Sequence, residues 1–284
     1  MSEFLYHVPN NLDDLFSTIK KHGSSAALLA GGTDLLIHLK VGKIAPQHVI
    51  DIKHVKELYE KITFCSNGMT IGALTTLINI TKHPDVQKLY PALSESARKV
   101  GSKQIRNRGT LVGNICNASP AADTAPALLI YNAEVTIVGM NSRRTIPFES
   151  FIKGPGKTDL KEGEIVESLF FPFPPANSTS NFVKLARREG ADLTIVGTAT
   201  LAASNYETRI ALCAVAPIPF RACSAEYVLN QGGYNQQNID KALEKVVHNA
   251  NPISDLRATK EYRLAMVEVI TRKSLENSLK ILTN

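Results

Sequence analysis

The chain of 284 residues is longer than a typical single domain, so two domains, or one domain with subdomains, are expected. A hydrophobic content of 44% and a charged content of 20% exclude a disordered chain, and no apolar run is long enough to span a membrane. The net charge is only +6, and without tryptophan the chain has few stacking platforms for single-stranded nucleic acid. We therefore predict neither nucleic-acid binding nor membrane insertion.

The cysteines and histidines carry no sign of a metal site. Neither a C-x-x-C pair nor H-x-x-x-H spacing occurs, which argues against a zinc site or an iron–sulfur cluster held by this chain alone. We therefore predict no metal-ligating residue. The N-terminus lacks a basic stretch followed by an apolar run, so a cytoplasmic location with free thiols is expected.

The first half of the chain alternates short helices and strands. Residues 11–22 predict an amphipathic helix that begins after Asn11 and ends at Gly23. Two strands follow, at 26–30 and 48–53, with a short helix between them, and this order is typical of a small parallel βαβ unit. Further strands and helices are predicted within 69–80, 90–100 and 133–139.

The proline-rich stretch FFPFPPANSTSN, at 170–181, interrupts this pattern and predicts a domain boundary near residue 175. Beyond it, three successive segments alternate like antiparallel strands, and long helical patterns follow them. The second half therefore predicts a three-stranded antiparallel sheet backed by helices. The predicted fold class is α+β, with an N-terminal domain of 1–175 and a C-terminal domain of 176–284.

The tetrapeptide Gly31-Gly32-Thr33-Asp34 interrupts the apolar run LLAGGTDLLIHLK. Glycine accepts positive φ and lets a ligand approach the backbone, so N–H groups can converge there on an anion such as pyrophosphate. Because a carboxylate repels phosphate, we predict that Asp34 caps the turn and directs its charge away from the ligand. Taken alone, the tetrapeptide is better explained as a tight turn between a strand and a helix.

A second stretch, GTLVGNICNASPAADTAPALL at 109–129, is dense in small polar residues and ends in an apolar helix. Hydroxyl, amide and carboxylate groups of this kind suit the sugar hydroxyls and phosphates of a dinucleotide. The structural alternative is that Ser119 or Thr124, each near a proline, simply begins a helix. Two such stretches in one domain favour a ligand site. The side chains that offer partners are Thr110, Asn114, Asn117, Ser119 and Asp123.

Taken together, LLAGGTDLLIHLK, IGALTTLINI, QIRNRGTLVGNICNASPAADTAPALL and ARREGADLTIV resemble the FAD-binding medium subunit of bacterial molybdenum hydroxylases, the xanthine dehydrogenase branch in particular. The resemblance continues to the C-terminal TKEYRLAMVEVITRK and so covers essentially the whole chain. It implies an N-terminal FAD-binding domain with subdomains of about 1–58 and 59–172. FAD is then expected to lie between them and the C-terminal domain.

The resemblance also implies which residues hold FAD. Asp123 is expected to reach a sugar hydroxyl, and the segment around Ile195, with Lys184 near it, to pack against the isoalloxazine ring. Val112 departs from the family, because many relatives have glycine there; a β-branched residue resists positive φ, so ordinary dihedrals are expected. The pyrophosphate is expected on two loops, formed by Ala30, Gly31, Gly32, Thr33 and Asp34 and by Thr110, Gly113 and Asn114.

The implied function is electron transfer. Molybdenum hydroxylation releases electrons through one-electron iron–sulfur centres, nicotinamide accepts a hydride, and a flavin can join the two. The resemblance therefore implies an iron–sulfur subunit with 2Fe-2S clusters and a large molybdopterin subunit as partners, with NAD as a possible acceptor. The implied substrate of the complex is a purine or other N-heterocycle. No catalytic acid–base pair is required, and none is predicted.

Two alternatives remain open. A standalone FAD-dependent oxidoreductase would use a similar flavin site, but it would be expected to carry an acid or base near the ring, and ARREGADLTIV offers none that can be placed there. A non-catalytic nucleotide-binding or interaction module could be built on the basic stretch 98–108, and such a protein would be colourless. Within the leading hypothesis, this stretch is predicted to form part of a docking face.

Overall fold

A computed structural model describes residues 3–283 and begins with a small parallel sheet. Its elements are β1 (Leu5–His7), α1 (Leu12–His22), β2 (Ala26–Leu29), α2 (Leu35–Lys40) and β3 (His48–Asp51). Strand β3 lies in the middle and pairs in parallel with both β1 and β2. The βαβ prediction is confirmed, whereas the three-residue edge strand β1 was not predicted because it is too short to show a periodic pattern.

Helix α1 follows its local sequence closely. The Asn11 side chain accepts a hydrogen bond from the Asp14 N–H at 2.8 Å, which caps the first turn. Gly23, with φ of +50°, ends the helix in a conformation that favours glycine. Leu15 and Phe16 are buried, so the apolar face of the helix lies against the protein core.

The second unit is a five-stranded antiparallel sheet, with a group of short helices between its second and third strands along the chain. Its elements are β4 (Ile62–Cys65), β5 (Gly68–Gly72), α3 (Leu77–Lys82), α4 (Pro84–Leu89), α5 (Pro91–Lys99), α6 (Lys103–Arg106), α7 (Leu111–Cys116), α8 (Ala125–Ile130), β6 (Glu134–Gly139), β7 (Ser142–Pro147), β8 (Ile152–Gly154), β9 (Lys157–Thr158) and β10 (Ile165–Pro172). The strand order is β4-β5-β10-β6-β7, and β8 pairs separately with β9. Prolines explain two of the helix breaks, because Pro84 and Pro91 each begin a new helix.

The third unit contains the predicted antiparallel strands. Its elements are β11 (Ser178–Leu185), β12 (Val196–Ala203), β13 (Thr208–Cys213), β14 (Phe220–Arg221), α9 (Cys223–Gly232), α10 (Gln236–Asn249) and α11 (Lys260–Thr283). The three long strands match the prediction, and a two-residue strand, β14, adds a fourth to the sheet. Within residues 3–283, no helix combines the length and the apolar character needed to cross a bilayer.

Helices cover this last sheet on both faces. Phe182, Ala199 and Leu201 join the core formed with the second unit, whereas Val196 and Ile210 join a separate core formed with α9, α10 and α11. This alternation follows from the two-residue period of a strand. Since one hydrophobic core continues from β10 into β11, the domain boundary near residue 175 stays a prediction.

Candidate functional site

The first glycine loop connects β2 to α2 and lines a cleft of about 340 Å³. Gly32 has a φ of +74°, a conformation in which a side chain is strained. Gly31 meets a different requirement, because a Cβ there would lie 2.1 Å from the carbonyl oxygen of Arg108. One glycine therefore allows the turn, and the other allows close contact with the segment that precedes the second loop.

Four consecutive backbone N–H groups of this loop, from Gly32 to Leu35, have no hydrogen-bond acceptor in the described part of the chain. All four residues line the cleft. Adjacent unpaired N–H donors can form a concave site that binds an anion. The loop therefore fits a phosphate or pyrophosphate group, as its glycines suggested.

The predicted role of Asp34 as a capping residue is wrong. Asp34 precedes α2, but its side chain makes no capping hydrogen bond, since its own φ and ψ of −98° and −46° are helical rather than extended. Instead, its Oδ1 accepts a hydrogen bond from Asn117 Nδ2 at 3.3 Å. Asp34 thus connects the first loop to the second.

The second loop contributes one residue that organises the backbone and one with a free donor. The Thr110 hydroxyl accepts a hydrogen bond from the Gly113 N–H at 2.9 Å and so caps α7. Asn114 Oδ1 accepts from the Thr124 hydroxyl at 2.6 Å, and its Nδ2 has no acceptor among residues 3–283. Val112 lies inside helix α7, which confirms the expectation of ordinary dihedrals. Thr110, Gly113 and Asn114 all line the cleft.

A second cleft, of about 290 Å³, adjoins the first and shares Ala30, Gly31 and Thr110 with it. Lys53 and Arg108 line this second cleft. Lys53 is bound to Asp51 at 2.6 Å, whereas Arg108 is exposed and has no side-chain partner within the described residues. Sequence reasoning missed both cations, although Arg108 directly precedes the second loop. The two clefts form one elongated site with the first loop at their junction.

Asp123, Lys184 and Ile195 lie outside the residues that line these two clefts. Lys184 Nζ lies 2.7 Å from Asp123 Oδ2, and less than a tenth of either side chain is exposed. Thr194, the neighbour of Ile195, donates its hydroxyl hydrogen bond to Asp123 Oδ1. Burial raises the pKa of Asp123, while the Lys184 ammonium stabilises the ionised form.

This buried cluster has a structural role that the sequence did not reveal. Both oxygens of Asp123 already accept hydrogen bonds from the protein, so its contact with a sugar hydroxyl stays a prediction. Ile195 is held through its carbonyl oxygen, which accepts a hydrogen bond from the buried Arg263 at 2.7 Å. Thr194 and Arg263 were both missed because their partners are distant in the sequence.

The basic stretch 98–108 does not form one uniform charged face. The Arg106 guanidinium donates to the carbonyl oxygens of Val100 and Gly101, so it stabilises the turn after α5. Arg108 belongs to the second cleft. Docking by the remaining exposed cations stays a prediction, and they are Arg98, Lys99 and Lys103.

Comparison with known proteins agrees with this architecture. Residues 2–174 match the family model described as the FAD binding domain in molybdopterin dehydrogenase. Residues 181–278 match the model described as the CO dehydrogenase flavoprotein C-terminal domain. Together the two models span most of the chain.

Two relatives match over nearly their whole length. The xanthine dehydrogenase FAD-binding subunit of Escherichia coli O157:H7 is 34% identical over 280 residues, covering 96% of this chain and 95% of that protein. The carbon monoxide dehydrogenase medium chain of Hydrogenophaga pseudoflava is 30% identical over 276 residues, covering 96% of each.

Solved structures show the same fold. Carbon monoxide dehydrogenase from Hydrogenophaga pseudoflava, in a form that lacks the Mo-pyranopterin moiety, matches with a TM-score of 0.93 at 31% identity and 98% coverage of both chains. Quinoline 2-oxidoreductase from Pseudomonas putida 86 also gives 0.93, at 26% identity and 99% coverage of both. The chain therefore belongs to the FAD-binding flavoprotein subunits of the xanthine and CO dehydrogenase-type molybdenum hydroxylases, a family of oxidoreductases.

Proposed function

We propose that this chain is the electron-transfer subunit of a complex with an iron–sulfur subunit that carries 2Fe-2S clusters and a large molybdopterin subunit. It passes electrons from the clusters to an acceptor such as NAD. The complex oxidises a purine or other N-heterocycle, a class to which the xanthine and quinoline of two relatives' names belong. Carbon monoxide dehydrogenase is equally a relative, so the substrate is the part of the proposal that most needs an experiment.

The observation that carries this proposal is the run of unpaired N–H groups in the first cleft, which directly follows Ala30 and Gly31, two residues that line both adjoining clefts. This arrangement suits a dinucleotide, whose anionic pyrophosphate lies between two larger groups. The N–H donors from Gly32 to Leu35 bind the pyrophosphate, and the free cation of Arg108 adds electrostatic attraction from the second cleft. The parts of FAD on either side of the pyrophosphate would extend along the two clefts, and the flavin ring would reach beyond the lining residues to the Ile195 segment. Bound FAD exchanges one or two electrons, which lets it link a one-electron donor to a hydride acceptor.

The buried cluster of Asp123, Lys184 and Thr194 fixes the chain segment at Ile195, which is proposed to lie beside the flavin ring. Lys184 Nζ donates to the Asp192 carbonyl oxygen at 2.8 Å as well as to Asp123. Thr194 is tied to the same carboxylate, so both ends of the connection between β11 and β12 are anchored. This anchoring holds the Ile195 segment rigid against the ring. The role of these residues is orientation, because Lys184 Nζ already donates to three protein oxygens and both oxygens of Asp123 already accept from protein groups.

The test begins with the purified chain, measured for flavin, molybdenum and iron. We expect bound FAD, no metal of the hydroxylase type, NADH-dependent reduction of an artificial dye, and no oxidation of any heterocycle. Co-expression with the iron–sulfur and molybdopterin subunits should then produce heterocycle oxidation. Comparing NAD with dyes as acceptors, and xanthine with carbon monoxide as substrates, decides the finer points. Heterocycle oxidation by the metal-free single chain would overturn the proposal in favour of a standalone FAD-dependent oxidoreductase.

A further inference from the structure

Three histidines that are widely spaced in the sequence meet beside the N-terminal parallel sheet. His7 ends β1, His22 ends α1, and His48 begins β3. The ring centroids of His22 and His48 lie 3.6 Å apart, and that of His7 lies 4.9 Å and 5.1 Å from them. One nitrogen atom from each ring lies within 4.8 Å of the other two. Three imidazole nitrogens are therefore gathered in a space that a single ion could occupy.

The three rings have few hydrogen-bond partners in the described part of the chain. His7 Nε2 and His48 Nδ1 are 2.9 Å apart and share one hydrogen bond. Among residues 3–283, no hydrogen bond or ion pair joins a carboxylate to any of the three rings. All three residues are half-buried. The cluster thus brings together ring nitrogens that a cation could use as ligands.

We propose that His7, His22 and His48 bind a divalent transition metal ion, with zinc as the best match. Three histidine ligands with an open fourth position for water are a known zinc geometry. Imidazole also suits copper and nickel, whereas magnesium and calcium prefer oxygen ligands, which this cluster lacks. Ligand nitrogens on a tetrahedral zinc ion lie roughly 3.3 Å apart, so the closely spaced rings of His22 and His48 would turn away from each other when the ion binds. The carbonyl end of the 11-residue helix α1 adds a favourable field for a cation at His22.

Such an ion would act on the fold, since none of the three histidines lines either cleft. It would join β1, α1 and β3 through one residue from each element. The same sheet includes β2, which leads into the first glycine loop. The site therefore stabilises the unit that presents the loop, and it does not depend on the proposed electron-transfer function.

The test uses the full chain without a histidine tag, loaded with FAD, stripped with a chelator and titrated with zinc by calorimetry. The pH is kept above the usual histidine pKa of about 6.5, so that the rings are available as ligands. We expect one zinc per chain and a higher melting temperature. His22→Gln should weaken zinc binding by at least the roughly 10- to 100-fold that loss of a supporting group costs at metal sites. His248→Gln is the matched control, because His248 is exposed on α10 and lies outside the cluster. The zinc affinity of this variant should equal that of the unaltered chain.

Cobalt provides a second readout, because its visible absorption beyond the flavin bands reports coordination by nitrogen. His7→Gln serves if His22→Gln alters the flavin content, since His7 lies on an edge strand. Three outcomes would overturn the proposal. They are no zinc binding by the unaltered chain, unchanged binding in the cluster variants, and equal losses in His248→Gln.

Discussion

The first and last sheets of the molecule are built in contrasting ways. No residue of β2 is fully buried, and this strand leads directly into the glycine loop at the cleft. Every residue of β12 is buried, and helices cover both faces of its sheet. The parallel sheet thus presents backbone to the cleft, whereas the antiparallel sheet provides a packed support.

This contrast shows where function and stability reside. Around the first loop the decisive contacts are between backbones, such as that of Gly31 with Arg108, and they shape a concave surface. At the C-terminal unit the decisive contacts join buried side chains, such as Lys184 of β11 with Asp123 of the second unit. We therefore expect changes in the first region to affect FAD binding and changes in the second to affect unfolding.

The largest effect is expected for Gly31→Val, which should abolish FAD retention. The new Cβ would lie 2.1 Å from the Arg108 carbonyl oxygen, and this backbone atom cannot move aside without opening the junction of the clefts. Gly154→Val is the control, because a Cβ there meets nothing within 4 Å. The ratio of flavin to protein is measured beside the melting curve. Full flavin occupancy in a folded Gly31→Val protein would contradict the assignment of this loop to FAD.

Lys184→Met should produce the largest loss of stability. It leaves the Asp123 carboxylate buried without its charge partner, which costs about 3–5 kcal/mol in the free energy of unfolding. Lys241→Met, at an exposed position on α10, should change this free energy little. Denaturant unfolding measures both, and adding Asp123→Leu to Lys184→Met should recover part of the loss. Equal free energies of unfolding for the two lysine variants would show that the ion pair of Lys184 with Asp123 does not stabilise the protein.

Thr110→Ala tests whether a helix cap at the cleft differs from a cap elsewhere. Loss of the hydrogen bond from the Gly113 N–H should cost about 1 kcal/mol of stability and also weaken FAD binding, because α7 lines the cleft. Asn235→Ala removes the equivalent cap of α10 and should cost a similar stability while FAD affinity stays unchanged. FAD titration of both apoproteins separates the two effects. Equal FAD affinities in the two variants would show that α7 does not contribute to FAD binding.

The smallest effect concerns acid sensitivity in the C-terminal unit. Burial raises the pKa of Asp255, but hydrogen bonds from Arg257 and Arg263 lower it more, so the native pKa lies below the usual range. The Asp255 carboxylate therefore binds a proton less readily in the native state than in the unfolded state. The stability that Asp255 contributes is fully present above about pH 4 and is lost as the pH falls toward the native pKa. In urea unfolding at successive pH values, the advantage of the unaltered chain over Asp255→Asn should shrink below about pH 4. An advantage that stays constant would show that Asp255 acts through packing alone.

Local chemistry was enough to predict much of this protein. Asn11 and Gly23 mark the ends of α1 because capping depends on neighbouring residues. Glycine was singled out in the first loop because it accepts positive φ, and Gly32 adopts that conformation, whereas the close approach of Gly31 to Arg108 was not foreseen. The three long strands from Ser178 to Cys213 were predicted from their alternation. The strands β1 and β14 were missed because two or three residues carry no readable period.

The remaining features depend on pairs of residues that are far apart in the chain. Asp34 was assigned to a cap because its partner, Asn117, lies in the other loop. Neither the partner of Asp123 nor the meeting of His7, His22 and His48 can be inferred from spacing, because different elements bring these residues together. Sequence patterns report contacts within a turn or a strand, while the clefts and buried clusters arise when packing of the apolar faces closes long loops.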